Sequence, residues 1–210
     1  MHTLYYSPGA ASFVVHWLLI ELGIEHRLET VDFETRQQKS PEYLKLNPAG
    51  VVPTLVVDGV AYTEAAAIVM QLADAHPEAR LAPPVGSEQR ARYYQWMSFL
   101  SNMLQPQFRA WWYPNEPAGE AHADLVKAGA AQRAAQCFDI LDAHLAANGP
   151  WLLGDRPSAA DFQLAMLMRW SRKMPRPATE WPALARLAQA MKARPSFKAL
   201  YEREGLTEWA

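Results

Sequence analysis

The sequence predicts an α+β protein in two parts, a small mixed sheet covered by helices and then an all-helical remainder. Three observations carry this. Short β-prone runs alternate with helical patterns only as far as about residue 77. A proline-rich stretch follows at 76–86, His-Pro-Glu-Ala-Arg-Leu-Ala-Pro-Pro-Val-Gly. From Ser87 onward every periodic pattern is helical. The chain is 210 residues long, enough for one large domain or two small ones. The expected division is a sheet-bearing domain over 1–77, a linker over 78–86 and a helical domain over 87–210.

Each element has its own warrant. Residues 2–6 read as a strand closed by the turn signal Ser7-Pro8-Gly9. Residues 12–22 are apolar on almost every face and stop at Gly23, a helix C-cap. Residues 26–32 form a second strand, and Ser40-Pro41 opens a short helix with proline in its first turn. Thr54–Val57 and Val60–Tyr62 flank Asp58-Gly59, the strongest short hairpin signal. Glu64 to Ala75 is helical and ends before Pro77. The order β-α-β-α-β-β-α combines a parallel crossover with an antiparallel hairpin, hence a mixed sheet. In the second part Tyr93, Trp96, Met97, Leu100, Met103 and Leu104 keep helical spacing, and Phe108, Trp111 and Trp112 continue the face past Pro106. That proline should kink the helix rather than end it. Ala134, Phe138, Leu141 and Leu145 mark a second long helix. Residues 158–173, apolar nearly all round, make a buried central one. Residues 182–192 and 196–202 give two shorter helices.

Composition excludes several function classes. The formal charge is −2, so no basic excess points to nucleic acid or an anionic membrane. The single cysteine, Cys137, permits no intrachain disulfide, which suits a cytoplasmic protein. The N-terminus lacks a basic n-region and a long apolar h-region. The apolar stretch Phe13–Ile20 is far too short to span a bilayer. Nucleotide-binding glycine loops, His-Glu-x-x-His and Cys-x-x-Cys are absent, and the six histidines show no metal-ligand spacing, so neither a metal nor a nucleotide is expected.

Three features remain. Leu4 to Ser12 reads as strand, turn and helix start, and a helix start stabilises an anion through free N–H groups and the dipole. Ser12 would be an N-cap or first-turn residue whose hydroxyl could serve a thiolate. In Asn47 to Leu55, Val52-Pro53 precedes a strand, and a cis bond there would turn the Val52 backbone outward to pair with an extended peptide. Glu64 opens a helix whose first N–H groups, beginning at Ala65, could hold a carboxylate while Glu64 receives an ammonium. A ligand carrying a thiol, a peptide backbone, a carboxylate and an ammonium would meet all three, and glutathione is such a ligand.

The stretches Tyr-Tyr-Ser-Pro-Gly-Ala-Ala-Ser (5–12), Asn-Pro-Ala-Gly-Val-Val-Pro-Thr-Leu (47–55), Thr-Glu-Ala-Ala-Ala-Ile (63–68) and Trp-Leu-Leu-Gly-Asp-Arg-Pro-Ser-Ala-Ala-Asp-Phe (151–162) stand in order along essentially the whole chain. Together they resemble the cytosolic glutathione transferases, above all the bacterial beta-like group. The resemblance implies a thioredoxin-like N-terminal domain, an all-α C-terminal domain, a homodimer, and glutathione as co-substrate. It also implies a structural capping box at Ser158 and Asp161. Beta-like members usually carry cysteine at the position of Ala11 and often histidine at that of Gln105, and the family's usual serine after the ligand-binding acid is replaced by Ala65. The missing cysteine removes mixed-disulfide chemistry. Ser12 and Tyr6 fall where serine-type and tyrosine-type members keep the thiol-activating hydroxyl.

The energetics are modest. A free thiol with a pKa of about 8.5 needs roughly 2.7 kcal/mol of preferential thiolate stabilisation to drop two units. One charge-assisted hydrogen bond of about 1.5–3 kcal/mol plus a helix-terminus contribution of about 0.3–1 suffices. Ser12 is the expected main donor and Tyr6 the reserve. The thiolate would conjugate to hydrophobic electrophiles held in a cleft between the domains, lined by Tyr6, Phe108, Trp111, Trp112 and Tyr113, with Gln105, Arg109 and Trp170 at its margin. The same activated thiol would serve a glutathione-dependent isomerase, dehalogenase, ether-cleaving enzyme or peroxidase. The departures at Ala11, Gln105 and Ala65 also admit a non-catalytic glutathione-fold binding or regulatory protein. Tyr5, on the opposite strand face from Tyr6, reads as structural, His16 as a satisfied buried histidine, and Cys137 as inert.

Overall fold

Strand β1 (His2–Tyr6) runs through the middle of a four-stranded sheet of order β2-β1-β3-β4. The computed structural model describes residues 1–209. β2 (His26–Thr30) pairs with β1 in parallel, while β3 (Thr54–Val57) and β4 (Val60–Thr63) complete an antiparallel meander. The parallel step needs a crossover, and α1 (Ser12–Glu21) supplies it. Phe13, Val14, Val15, Trp17, Leu18 and Leu19 are all buried, which is why its sequence shows no polar face. α1 ends in a Schellman motif: Gly23 adopts φ +66°, and the Ile24 N–H donates to the Leu19 carbonyl at 2.9 Å. Asp58 and Gly59, both at positive φ, turn the β3–β4 hairpin. α2 (Pro41–Leu46) starts where the Ser40 hydroxyl accepts the Tyr43 N–H. α3 (Ala65–Ala75) follows β4 directly.

The chain divides into two compact units. One comprises 1–81 together with 193–208, and the other 82–192 with Trp209. The division after Leu81 lies inside the expected linker, but the end of the chain does not follow the expected 87–210 domain. α10 (Pro195–Glu204) belongs with the sheet unit because its apolar face packs on α1. Phe197 and Tyr201 meet Phe13, Phe197 also meets Trp17, and the Trp17 indole donates to Ser196 Oγ at 2.9 Å. At the other end of the α1 face, Arg194 and Ser196 both bond the Glu21 carboxylate.

The second unit is helical throughout. α4 (Glu88–Phe99) passes through a π-helical turn, Leu100–Leu104, into α5 (Gln105–Trp112). The chain therefore stays helical through Pro106, and the irregularity sits just before it. A short α6 (Asn115–Ala118) and a 26-residue α7 (Ala123–Asn148) follow. α8 (Ala159–Trp170) is buried along nearly its whole length, and α9 (Pro182–Lys192) packs on α7 and α8. Asp142 on α7 accepts the first free N–H groups of α9, from Ala183 at 2.7 Å and Leu184 at 3.1 Å. Among the described residues no helix is long and apolar enough to cross a membrane.

The entry to α8 explains the conspicuous Ser158–Asp161 spacing. Asp161 Oδ2 accepts the Ser158 N–H at 2.7 Å and its hydroxyl at 2.8 Å, while Oδ1 accepts the Leu152 N–H at 2.9 Å. The carboxyl thus ties the 152–158 loop to the helix. Burial raises its pKa to about 6, against the pull of the hydrogen bonds it accepts. The unfolded carboxyl titrates near 3.9, so the folded chain binds this proton more tightly. Stability is expected to fall as pH rises from about 4 to about 6, by on the order of 2–3 kcal/mol. Asp161→Asn should be less stable and should lack that slope. Denaturant unfolding across the interval measures both, and equal slopes in the two chains would place the titration elsewhere.

Candidate functional site

Strand register brings the three sequence features of the first part to one end of the sheet. Tyr5 pairs with Thr54, and Thr54 with Thr63. One residue further, Tyr6, Pro53 and Glu64 therefore form a row across β1, β3 and β4. Adjacent strands lie about 4.8 Å apart, so the row spans about 10 Å. An extended three-residue peptide has nearly the same length, at about 3.3–3.6 Å per residue.

The backbone along this row carries open groups. The Val52–Pro53 bond is cis, and the N–H and C=O of Val52 have no partner among the described residues. Its loop is braced from behind: the Tyr43 hydroxyl donates to the Val51 carbonyl at 2.7 Å and lies 2.9 Å from Thr54 Oγ1, and Asn47 Nδ2 donates to the same carbonyl at 2.7 Å. Burial raises the Tyr43 phenol, which keeps its proton for this bond. Glu64 sits at φ +67°, ψ 105°, a conformation that costs a non-glycine residue roughly 1–3 kcal/mol. No side chain caps the start of α3, so the Ala65 N–H is open. Strain in a non-glycine residue directly beside open amides is a signature of a binding position.

At the β1 end the hydroxyl of Ser12 is not poised as expected. The side chain is 0 % exposed. Its proton goes to the Ser7 carbonyl at 3.1 Å, and its oxygen accepts the Ser7 N–H at 3.2 Å. Ser12 clasps its own turn and is neither N-cap nor free donor, because Ala11 occupies the N-cap position without a side-chain bond. At the start of α1 the amides of half-buried Ala11 and buried Ser12 have no partner among the described residues. Tyr6 is half-buried, with its ring edge-on to His16 at 5.9 Å. Tyr5 packs with Tyr43, Val31 and Val52, a structural place.

Glu204 is a residue of the site region that the sequence reading missed. Its carboxylate, on α10, accepts the Gly9 N–H at 2.8 Å with one oxygen and meets His16 Nδ1 at 2.8 Å with the other. Both side chains of the His16–Glu204 pair are fully buried, and His16 Nε2 has no partner among the described residues. The signal was available: Phe197, Leu200, Tyr201 and Glu204 share one helical stripe, and an acid in register with an apolar face needs a buried partner.

The expected substrate residues of the second unit are dispersed. Phe108 is 1 % exposed and stacks on Phe138 and Trp170, so it stands behind the surface rather than on it. Trp112 and Tyr113 are 39 % and 43 % exposed. Each aromatic is roofed by a cation: Lys127 over Trp111, Arg172 over Trp112, and Arg109 over Tyr113. Arg109 is also held by Glu116 at 2.7 Å. Gln105 is half-buried and bonded to Gln163. Burial raises the Cys137 thiol, which keeps it protonated and unreactive.

This frame, a β-α-β-α-β-β-α sheet unit and a helical unit in one chain, matches known proteins over its length. Residues 10–75 match the glutathione S-transferase N-terminal domain and residues 112–203 the corresponding C-terminal domain. Glutathione S-transferase GST-4.5 of Xanthomonas campestris pv. campestris is 35 % identical over 97 % of this chain and 98 % of its own. The chain belongs to the glutathione S-transferase family. A Sulfitobacter glutathione transferase homologue solved with bound glutathione is 27 % identical, with TM-score 0.90 over 99 % of each chain. A beta class enzyme from Sphingomonas chungbukensis is 30 % identical, with TM-score 0.85 over 98 % of this chain and 100 % of its own.

Removal of the Glu204 carboxylate should loosen the turn at Gly9. Glu204→Ala is expected to lower stability by on the order of 3 kcal/mol, because buried His16 and the half-buried Gly9 N–H lose their bonds together. Amide exchange at Gly9 and Ala10 should quicken relative to β1. Unchanged exchange there would show that the turn is held without Glu204.

Proposed function

We propose that this enzyme binds glutathione along the Tyr6–Pro53–Glu64 row, holds its sulfur as thiolate at the start of α1, and conjugates it to hydrophobic electrophiles. The observation that carries the reading is the match between that row, open backbone groups about 10 Å end to end, and an extended tripeptide. The Sulfitobacter homologue with bound glutathione supports the same ligand here. In this reading the γ-glutamyl end meets Glu64 through its ammonium and the Ala65 amide through its carboxylate. Val52 pairs with the cysteinyl backbone. Likeness to the Sphingomonas chungbukensis enzyme supports a beta-like assignment. A homodimer and a cytoplasmic location belong to the same proposal, as does an apolar substrate surface that includes Trp111, Trp112, Tyr113 and Trp170.

With the Ser12 proton engaged, thiolate stabilisation falls to the Ala11 and Ser12 amides, with Tyr6 as the side-chain donor. One amide bond to a charged sulfur contributes about 1.5–3 kcal/mol and the helix start about 0.3–1. That range reaches the roughly 2.7 kcal/mol needed for a two-unit shift. Ser12 acts by closing the turn that presents those amides.

Titration of the bound thiol by thiolate absorbance tests the assignment. Ser12→Ala and Tyr6→Phe should each raise the thiol pKa by less than about one unit, since the backbone supplies most of the stabilisation. A return to about 8.5 in Ser12→Ala would mean that the hydroxyl turns to the sulfur. No glutathione binding at millimolar concentration would end the reading altogether.

Glu64 offers a separate check. Glu64→Gly relieves the positive φ and should stabilise the fold by about 1 kcal/mol or more. The same change should weaken glutathione binding about tenfold by removing the ammonium partner. Calorimetric unfolding and binding measure the pair, and a stabilised chain with undiminished affinity would remove Glu64 from the site.

A further inference from the structure

His26, the first residue of β2, has a charge state dictated by its two polar neighbours. Its Nδ1 lies 2.6 Å from the Ile24 carbonyl oxygen, which can only accept, so Nδ1 carries a proton. Its Nε2 lies 3.5 Å from Arg203 Nη1, which can only donate, so Nε2 is bare. The contact with Arg203 therefore exists only while His26 is neutral. A second proton would set N–H against N–H and cation against cation. The titratable and charged groups that act on the ring are bases. His16 meets it from α1, edge-on with ring centres 5.3 Å apart, Arg203 from α10, and His2 from the paired position on β1. Glu25 and Arg27, its chain neighbours, are exposed. Partial burial, and then these bases, hold its pKa below the ordinary histidine value of 6.5, against the pull of the Ile24 carbonyl.

The last turn of α10 joins this contact to the turn before α1. Arg203 and Glu204 are consecutive residues there. Arg203 reaches His26, while the Glu204 carboxylate accepts the Gly9 N–H at 2.8 Å and meets His16 Nδ1 at 2.8 Å. His26, His16, Glu204 and Gly9 thus form one line of contacts within the sheet unit. The His16–Glu204 end is buried and the His26–Arg203 end meets solvent, so a proton reaches the line at His26. A helix end opens at low cost, and α10 stops one residue later at Gly205. A cation at His26 pushes Arg203 away, and Glu204 in the same turn moves with it.

We infer that His26 is a proton-sensitive catch for the turn that receives glutathione: neutral, it holds the last turn of α10 through Arg203, and protonated, it releases that turn and weakens glutathione binding. The inference rests on the glutathione reading of the Gly9 to Ser12 segment. The sign follows from the contact itself. The clasped form excludes the second proton, so it prevails above about pH 6.5 and is lost as pH falls below that value. Glutathione selects the clasped form, and its apparent affinity drops with the share of chains that hold it.

S-Methylglutathione, which has no thiol to titrate, is the probe, and its affinity is measured by calorimetry at about pH 8 and about pH 5. The wild-type chain should bind it about fivefold more weakly at the lower pH. By linkage the bound ligand should make His26 harder to protonate, seen as a downward shift of its ring titration by NMR. His26→Gln is neutral at every pH and keeps an oxygen for Arg203, so its affinity should stay near the wild-type value at about pH 8 throughout. His26→Lys carries a charge throughout and should show the weak affinity at both. Arg203→Met removes the contact from the other side and should do the same. Asp161 also titrates in this interval, but its contribution would persist in His26→Gln. In the free chain the Gly9 amide resonance should follow the His26 titration. A wild-type affinity that does not fall, or that falls equally in His26→Gln, would overturn the inference, as would a Gly9 resonance indifferent to His26. A chain that binds no S-methylglutathione even at about pH 8 would overturn the glutathione reading, and the effect on affinity with it.

Discussion

Strand register in the four-stranded sheet is the constraint on which the rest depends. Tyr5, Thr54 and Thr63 are neighbours across three strands, and the next residue on each strand is Tyr6, Pro53 or Glu64. A one-residue slip of either β3 pairing would turn the core-facing Leu55 outward and break up the row. Burial of the apolar face and assembly of the site are therefore enforced by the same hydrogen-bond ladder. Each strand end then passes into a segment with open backbone groups: the start of α1, the Val52 loop and the start of α3.

Support for those open groups comes from side chains that stand behind them. Ser12 and Ser7 close the turn before α1, and Glu204 ties Gly9 to His16 from α10. Tyr43 and Asn47 brace the carbonyl of Val51. The open positions are thus backbone, and the polar side chains nearby are largely spent on holding that backbone still. Backbone amides survive every substitution but proline, so the side chains at Ala11 and Ala65 can vary without removing them. It also gives physical sense to a positive φ at Glu64, where the chain holds strain beside an uncapped helix start.

The sheet unit was legible in the sequence because its signals are local. Asp58-Gly59 fixed the hairpin, Gly23 the end of α1, and Ser40-Pro41 the start of α2. Ser158 and Asp161 gave the entry to α8 for the same reason. What escaped was nonlocal. The membership of 193–208 in the sheet unit depends on packing of α10 against α1 across more than 170 residues. Ser12 looked like a donor because sequence shows a hydroxyl at a helix start and does not show its bond to Ser7. Phe108 shares a stripe with Trp111 and Trp112, yet its ring turns inward onto Phe138 and Trp170. Periodicity names a helix face but not which of its residues the neighbouring helices cover.

The central claim is that one extended tripeptide engages all three strand ends through backbone groups. Amide-resolved NMR during a glutathione titration addresses it most directly. The amide resonances of Ala11, Ser12, Val52 and Ala65 should move together along a single binding curve, while those of β2 stay in place. Perturbation at only one of these segments, or at residues remote from all of them, would contradict the account.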